Sequence, residues 1–400
     1  MVAPTSFFAD YGCHVRILEE ARVLQALGER VTVATYFTGR DVDGVDIRRT
    51  LPIPWRRDYA VGSSRHKIGF DALLAARVLP LAARLRPHVV HGHLHEGALI
   101  GGVLARLLRR PLVFDFQGSM ASEMVDHGFL RPGSRWHAAA MAAERRINGL
   151  AHVVVASTHH GARLLREEFG VPPERVQALP DHVNVECFRP GLLTADERAA
   201  ARSRLGIPPE RTVVVYLGLL AAYQGTDHLL RAARRVVDVR PDVHFLIMGF
   251  PGPHVYQDTA RALGLGDHTT FPGRVAYEAA PSRLALGDIA VGPKLSATEG
   301  SGKLLNYMAM GLPVVAFDTA VSREFLAENG RYAPPGDAGA LAERILELAG
   351  DREEACRLGR RLRRRAEAEF GWRKAGERLL ALYDGVTHRP APGNAPRAVP

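Results

Sequence analysis

Short apolar runs alternate with longer amphipathic stretches along most of the chain. The runs that predict strands form an early set and a late set, residues 1–4, 30–35, 89–91, 112–116 and 152–156, then residues 212–217, 244–248, 270–271, 289–292 and 313–317. Strands that alternate with helices in this way are typical of an α/β fold with parallel sheets. Two such sets predict two Rossmann-like domains that face each other across a cleft, where open α/β sheets bind ligands at the carboxyl ends of their strands.

Composition agrees with a folded two-domain protein. A chain of 400 residues is too long for one compact core, and its 46% hydrophobic and 24% charged residues are typical of a globular enzyme. No apolar run reaches the roughly 20 residues that a membrane-spanning helix needs. The three cysteines are far apart, which favours neither a metal site nor a disulfide framework, so we expect a cytoplasmic protein.

The net charge of +9 raises the question of an anionic partner. The sequence contains no recognised nucleic-acid-binding motif, so we expect no nucleic acid. Trp55 beside Arg56 and Arg57 could instead contact an anionic membrane from the cytoplasmic side. Solvated arginine-rich faces explain the same charge equally well.

The most informative stretch, residues 296–318, reads S-A-T-E-G-S-G-K-L-L-N-Y-M-A-M-G-L-P-V-V-A-F-D. Glu299 stands ahead of a loop of small residues, and an apolar-periodic helix follows. The free amides at the start of a helix favour an anion, and a glycine loop lets the backbone approach a ligand closely. The loop consists of Gly300, Ser301 and Gly302, and the helix carries Lys303 and Asn306 on one face.

This stretch resembles the donor-site signature of family 4 retaining glycosyltransferases of the GT-B fold, in which E-G-x-G leads into E-A-M-A-x-G-x-P-V-V. The connector P-D-H-V-N-V-E-C-F-R-P resembles the family's P-N-G-V-D-x-x-x-F-x-P, and F-G-W-R-K-A-G-E-R-L-L-A-L-Y resembles its closing helix. The resemblance implies a first domain at 1–190, a donor-binding domain at 191–369, and a helix at 370–387 that packs back on the first domain. The Pro-rich tail at 388–400 is expected to be disordered.

The resemblance also implies a role for each matched residue. Glu299 would hold the transferred sugar, and Lys303 with the loop amides would meet the donor phosphates. The other donor-side residues are Gly12, Gly218, Gln224, Arg274, Val275 and Asn306, with Arg274 a second candidate for the phosphates and Asn306 for the ribose. On the acceptor side we expect Asp10, His95 and Gln117.

Four positions depart from the family pattern. Leu219 and Gln224 replace the arginine and lysine that clamp the donor diphosphate, which removes two charge-assisted hydrogen bonds. Gln117 stands where the family usually has a histidine, and it exchanges no proton near neutral pH. Asn306 replaces the second glutamate, and six residues rather than seven separate it from Glu299.

His91, His93 and His95 alternate and would share one face if their strand continued. Imidazoles at this spacing could bind a metal, but neutral histidines at the mouth of the cleft are the favoured interpretation.

The resulting hypothesis is a retaining glycosyltransferase that moves a sugar from a nucleotide-diphosphate sugar to a glycan or lipid-linked acceptor, with no cofactor and no metal. Three alternatives remain. The first is a nucleotide-sugar epimerase, which is disfavoured because its reaction would need more acid–base residues. The second is a transferase that uses a lipid-linked sugar phosphate, for which the missing clamp is no obstacle. The third is a non-catalytic GT-B scaffold protein, in which the donor site has lost its function.

Overall fold

The computed structural model describes residues 1–53, 67–296 and 298–387. The predicted membrane contact at Trp55 and the tail at 388–400 lie outside these residues. Within them, no helix combines the length and the apolar composition that crossing a membrane requires.

The first domain is a seven-stranded parallel sheet in the order β3-β2-β1-β4-β5-β6-β7. The strands are β1 (Val2–Ala3), β2 (Thr32–Thr35), β3 (Asp46–Arg49), β4 (Val90–His93), β5 (Leu112–Phe116), β6 (Val153–Ala156) and β7 (Val176–Ala178). The helices are α1 (Gly12–Ala26), α2 (Lys67–Leu85), α3 (Leu94–Leu108), α4 (Met120–Asp126), α5 (Arg135–Asn148) and α6 (His159–Glu167). All residues of β4, β5 and β6 are buried, as expected for strands covered by helices on both faces.

The second domain is a six-stranded parallel sheet in the order β10-β9-β8-β11-β12-β13. The strands are β8 (Thr212–Leu219), β9 (Val243–Phe250), β10 (Thr269–Gly273), β11 (Ile289–Gly292), β12 (Val314–Phe317) and β13 (Arg331–Ala333). The helices are α7 (Ala195–Arg204), α8 (Thr226–Val239), α9 (Pro253–Ala262), α10 (Ala280–Leu284), α11 (Gly302–Ala309), α12 (Ala320–Leu326), α13 (Ala338–Gly350) and α14 (Arg352–Glu369). The predicted fold class, two Rossmann-like α/β domains, is confirmed.

Three strands were not predicted, namely β3, β7 and β13. Each has three or four residues and lies at the edge of its sheet. Edge strands are covered on fewer sides, so they need no continuous apolar run. Asp46-Ile47-Arg48-Arg49 in β3 shows this, since it has one apolar side chain and no fully buried residue.

The last helix, α15 (Trp372–Thr387), returns to the first domain and contacts α1. The approach is close at Gly376, where a Cβ atom would meet the side chain of Val23. Just before the helix, Gly371 pairs with Val183 of the connector as an isolated parallel bridge. The chain therefore crosses between the domains twice.

Candidate functional site

A cleft of about 340 Å³ lies between the carboxyl ends of the two sheets. Loops after β1, β4 and β5 contribute to one wall, and loops after β8, β10 and β11 contribute to the other. Thirteen of the fourteen residues that the sequence suggested for the site line this cleft, Asp10, Gly12, His95, Gln117, Gly218, Gln224, Val275, Glu299, Gly300, Ser301, Gly302, Lys303 and Asn306.

Arg274 is the one suggested residue that does not line the cleft. Its guanidinium lies 3.0 Å from Oδ2 of Asp10 and stacks over the ring of Phe250. Asp10 also accepts hydrogen bonds from Arg40 at 2.8 Å and from the backbone N–H of Tyr277 at 3.0 Å. Both suggested residues therefore join the first domain to the second, with Arg274 beside the cleft and Asp10 at its edge.

Glu299 is paired with a lysine that the sequence analysis did not single out. Nζ of Lys294 lies 2.6 Å from Oε2 of Glu299 and donates to the carbonyl oxygen of Gly300 at 2.7 Å. Burial would raise the pKa of Glu299, but the charge and hydrogen bond of Lys294 lower it below its usual value. Glu299 is therefore an ionised carboxylate with a fixed position at the mouth of the glycine loop.

The other domain approaches the same carboxylate closely. A Cβ atom at Gly118, in the loop after β5, would lie 3.1 Å from Cγ of Glu299. Ser119 donates its backbone N–H to Oγ1 of Thr298 at 3.4 Å. Glu299 therefore stands where the two walls of the cleft meet.

Lys303 lies against Gln224, one of the two positions at which this chain departs from the family's arginine and lysine. Its ammonium donates to Oε1 of Gln224 at 2.7 Å and to the hydroxyl of Tyr216 at 3.1 Å, and a Cβ atom at Gly218 would lie 2.8 Å from it. Burial, followed by the charge of Lys294, lowers the pKa of Lys303 to about 7, against the opposing effect of Glu299. An amine from α11 thus stands beside the loop after β8, where Leu219 and Gln224 carry no charge.

Gln117 and His95, on the wall formed by the first domain, both lie against carboxylates. Gln117 donates to Oδ2 of Asp115 at 2.6 Å, and Nε2 of His95 lies 3.2 Å from a carboxylate oxygen of Glu144. Glu123 also lines this wall, and burial together with the charge of Glu299 raises its pKa to about 7.

The three alternating histidines do not share one face. Strand β4 ends at His93, and Leu94 adopts a positive φ of 61° at the start of α3. His95 therefore belongs to the helix and lines the cleft, whereas His91 and His93 do not. The condition for a shared face is not met, because the strand stops before the third histidine. The expectation of histidines at the mouth of the cleft is wrong for His91 and His93, which are buried behind its wall.

Asp181, in the connector after β7, is a further residue of the cleft that the sequence analysis did not select. Its Oδ1 accepts from Arg16 at 3.0 Å, and Arg16 is itself held by Asp115 at 2.9 Å. A Cβ atom at Gly300 would collide with Oδ2 of Asp181. The carboxylate is thus fixed by the first domain against the glycine loop of the second.

A simple signal in the composition could have found the missed lysine. The chain has 52 basic residues besides histidine, and only four of them are lysines. Three of the four, Lys67, Lys294 and Lys303, line the cleft. Lysine and arginine are not interchangeable, so in a chain that uses arginine almost everywhere else the few lysines are candidates for a specific role.

Comparisons with known proteins agree with this geometry. Residues 211–351 match the family described as "Glycosyl transferases group 1", and residues 11–182 match the "Glycosyl transferase 4-like domain". The D-inositol 3-phosphate glycosyltransferase 1 of Catenulispora acidiphila is 30% identical over 399 residues, which cover 93% of this chain and 90% of that protein. The chain belongs to the family 4 glycosyltransferases.

One further sequence relative and one solved structure are also similar to this glycosyltransferase. A GDP-mannose-dependent monoacylated alpha-(1-6)-phosphatidylinositol monomannoside mannosyltransferase of Corynebacterium glutamicum is 29% identical over 63% of this chain and 65% of that protein. Anabaena HepE, solved in complex with UDP and glucose, superposes with a TM-score of 0.77 at 16% identity and covers 96% of this chain and 98% of its own. The structural likeness supports the GT-B fold.

Proposed function

We propose that the glycosyltransferase moves a sugar from a nucleoside diphosphate sugar to a hydroxyl group of a glycan or lipid-linked acceptor, with retention of the anomeric configuration. The observation that carries the proposal is the position of the Lys303 ammonium between Gly218 and Gln224. A cation at that place supplies the charge that a diphosphate needs, although the usual clamp is absent. A GDP-mannose-dependent relative and a UDP-bound neighbour support a nucleotide donor.

In the proposed reaction, the bond between the anomeric carbon and the phosphate oxygen breaks as the acceptor oxygen bonds to the same face of that carbon. The acceptor proton passes to the departing phosphate oxygen. Lys303 and the backbone amides from Ser301 to Lys303 stabilise the diphosphate, because the first amides of α11 have no partners within the helix. This is electrostatic preorganisation, and the proposed chemistry uses no metal and no cofactor.

The remaining residues position the two substrates. Glu299 accepts hydrogen bonds from hydroxyls of the transferred sugar, and Asn306 holds the ribose. Gly12 lets the first domain close over the phosphates, and Gln117 faces the acceptor while it is held by Asp115.

A panel of ligands tests the donor class. Thermal unfolding would be followed with UDP, GDP, ADP and their sugar conjugates, and with a polyprenyl phosphate analogue. A ligand at 100 times its dissociation constant adds about 2.7 kcal/mol to the free energy of unfolding, which is readily detected. Stabilisation by one nucleoside diphosphate supports the proposal, and NMR of the product then gives its anomeric configuration. Stabilisation by the lipid phosphate alone would favour a lipid-linked donor, and stabilisation by no ligand would favour a non-catalytic scaffold.

We further propose that the first domain contacts an anionic membrane through α3. Leu99, Val103 and Leu107 form a stripe along this helix and are 51%, 53% and 65% exposed. Arg106, exposed on the same helix, and Arg109 and Arg110 just after it complement anionic head groups. An exposed apolar stripe flanked by arginines is the pattern of a helix that lies in a membrane interface.

Co-sedimentation with vesicles tests this contact. Wild-type protein is expected to bind phosphatidylglycerol vesicles more strongly than phosphatidylcholine vesicles, and Val103→Glu should weaken the binding. Val239→Glu, at an exposed apolar position of α8 in the second domain, is the matched control. Equal binding by wild type and Val103→Glu would remove the support for α3.

A further inference from the structure

Three buried side chains converge behind the wall of the cleft. Glu20 comes from α1, and His91 and His93 come from β4. They are 1%, 2% and 0% exposed, and one nitrogen or oxygen atom from each lies within 4.8 Å of the others. None of the three lines the cleft or takes part in the proposed reaction.

Each imidazole is held on one side and lacks a partner on the other. Nδ1 of His91 lies 2.6 Å from the hydroxyl of Tyr383, and Nδ1 of His93 lies 2.9 Å from Oδ2 of Asp115. Nε2 of both histidines and Oε2 of Glu20 are buried without a hydrogen-bond partner, whereas Oε1 of Glu20 lies 3.1 Å from Nε of Arg16. Buried polar atoms are rarely left without hydrogen-bond partners or metal ions. We therefore expect one bound species that contacts all three side chains.

The charges around the group point in the same direction. The carboxylates of Glu20, Asp115 and Asp181 lie 3.1, 2.9 and 3.0 Å from the guanidinium of Arg16. One guanidinium contacts three carboxylates, so the group carries an excess of negative charge when all three are ionised. Buried charges that lack counter-ions are strongly disfavoured, and one divalent cation would balance this excess.

We propose that Glu20, His91 and His93 bind a divalent metal ion, for which Zn²⁺ is the best fit. Two imidazole nitrogens and one carboxylate oxygen suit Zn²⁺, which binds such atoms at about 2.0–2.2 Å and leaves a fourth tetrahedral position for a buried water. The contacts at each Nδ1 allow that nitrogen to donate to an oxygen, as metal-binding imidazoles usually do, and each Nε2 would then offer its lone pair to the ion. The ion has a structural role and is separate from glycosyl transfer.

The proposed ion would act on the cleft through its neighbours. Asp115 binds both His93 and Arg16, and Arg16 in turn holds Asp181 against the glycine loop. Fixing His93 would therefore fix this chain of contacts. A buried water, or a proton on Glu20 shared with an imidazole, is the competing explanation for the same unpartnered atoms.

Metal content distinguishes these explanations. Full-length protein without a histidine tag would be loaded with Zn²⁺ or Co²⁺, desalted and analysed by elemental mass spectrometry. We expect about one ion per chain in wild type, loss of the ion in Glu20→Gln, and a Tm that rises with Zn²⁺ and falls with a chelator. His88→Gln, at an exposed position just before β4, is the matched control and should keep its ion.

Two results would overturn the proposal. One is wild-type protein that retains no stoichiometric metal after loading and shows the same Tm with Zn²⁺ and with chelator. The other is a folded Glu20→Gln variant that retains as much metal as wild type. If Glu20→Gln does not fold, His91→Asn and the wild-type Tm measurements decide the question on the same criteria.

Discussion

Replacing Lys303 with methionine tests how the donor site works without its usual clamp. Methionine keeps most of the length and apolar volume of the side chain and removes the ammonium that contacts Gln224 and Tyr216. One charge-assisted hydrogen bond contributes about 1.5–3 kcal/mol. We therefore expect Lys303→Met to bind its nucleoside diphosphate roughly 10- to 150-fold more weakly.

The pH dependence of binding gives a more specific test. The pKa of Lys303 is about 7 in the unliganded protein, well below the usual value for lysine. A bound diphosphate favours the ammonium form and raises this pKa, so binding above pH 7 takes up a proton. Affinity should therefore fall as pH rises from 7 to 9, and at pH 8 the uptake should approach one proton.

Titration calorimetry in buffers of different ionisation enthalpy measures this uptake directly. Wild type should take up a proton at pH 8, and Lys303→Met should take up none. Lys374→Met, on the exposed surface of α15, should behave as wild type. Undiminished affinity in Lys303→Met, or equal proton uptake by both proteins, would refute the role assigned to Lys303.

Three other substitutions probe the walls of the cleft. Glu299→Gln should lower kcat/KM about 10- to 150-fold in steady-state kinetics, since a charged acceptor becomes neutral, while the protein stays folded. A smaller loss contradicts the role of Glu299. Gly300→Ala should reduce turnover, because the new methyl group would collide with the carboxylate of Asp181. Adding Asp181→Gly should restore part of the lost turnover, and a double variant with no restored turnover argues against that contact. Asp10→Asn weakens the ion pair with Arg274 that joins the two domains, so small-angle scattering should show a larger radius of gyration. An unchanged radius would mean that this ion pair does not hold the domains together.

The sequence predicted the fold well because its central strands are buried on both faces. Such strands are continuous apolar runs, as in Val153–Ala156, and they are visible without any knowledge of their neighbours. Edge strands such as β3 lack that signal. Strand β4 was predicted at 89–91 and ends at His93, because the alternation of residues does not reveal that the backbone turns at Leu94.

The candidate site was predictable where the chain is contiguous. The glycine loop, Glu299 and Lys303 occupy five consecutive positions, so one motif places them together. Residues that meet only in three dimensions were harder to find. Lys294 comes from the preceding strand end and Asp181 from the other domain, and only the folded structure brings both to the glycine loop.

Because lysine is scarce in this chain, amine-specific reagents can label the cleft selectively. Three of the four lysine amines of the chain lie there, and the fourth, Lys374, is exposed on α15. An amine reacts with acylating reagents only when it is unprotonated, and with a pKa of about 7 roughly half of Lys303 is in that form at neutral pH. Among the lysines, mild acylation at pH 7 should therefore label Lys303 first, on the wall of the cleft formed by the second domain. A single mass-spectrometric measurement could then report whether that wall is covered.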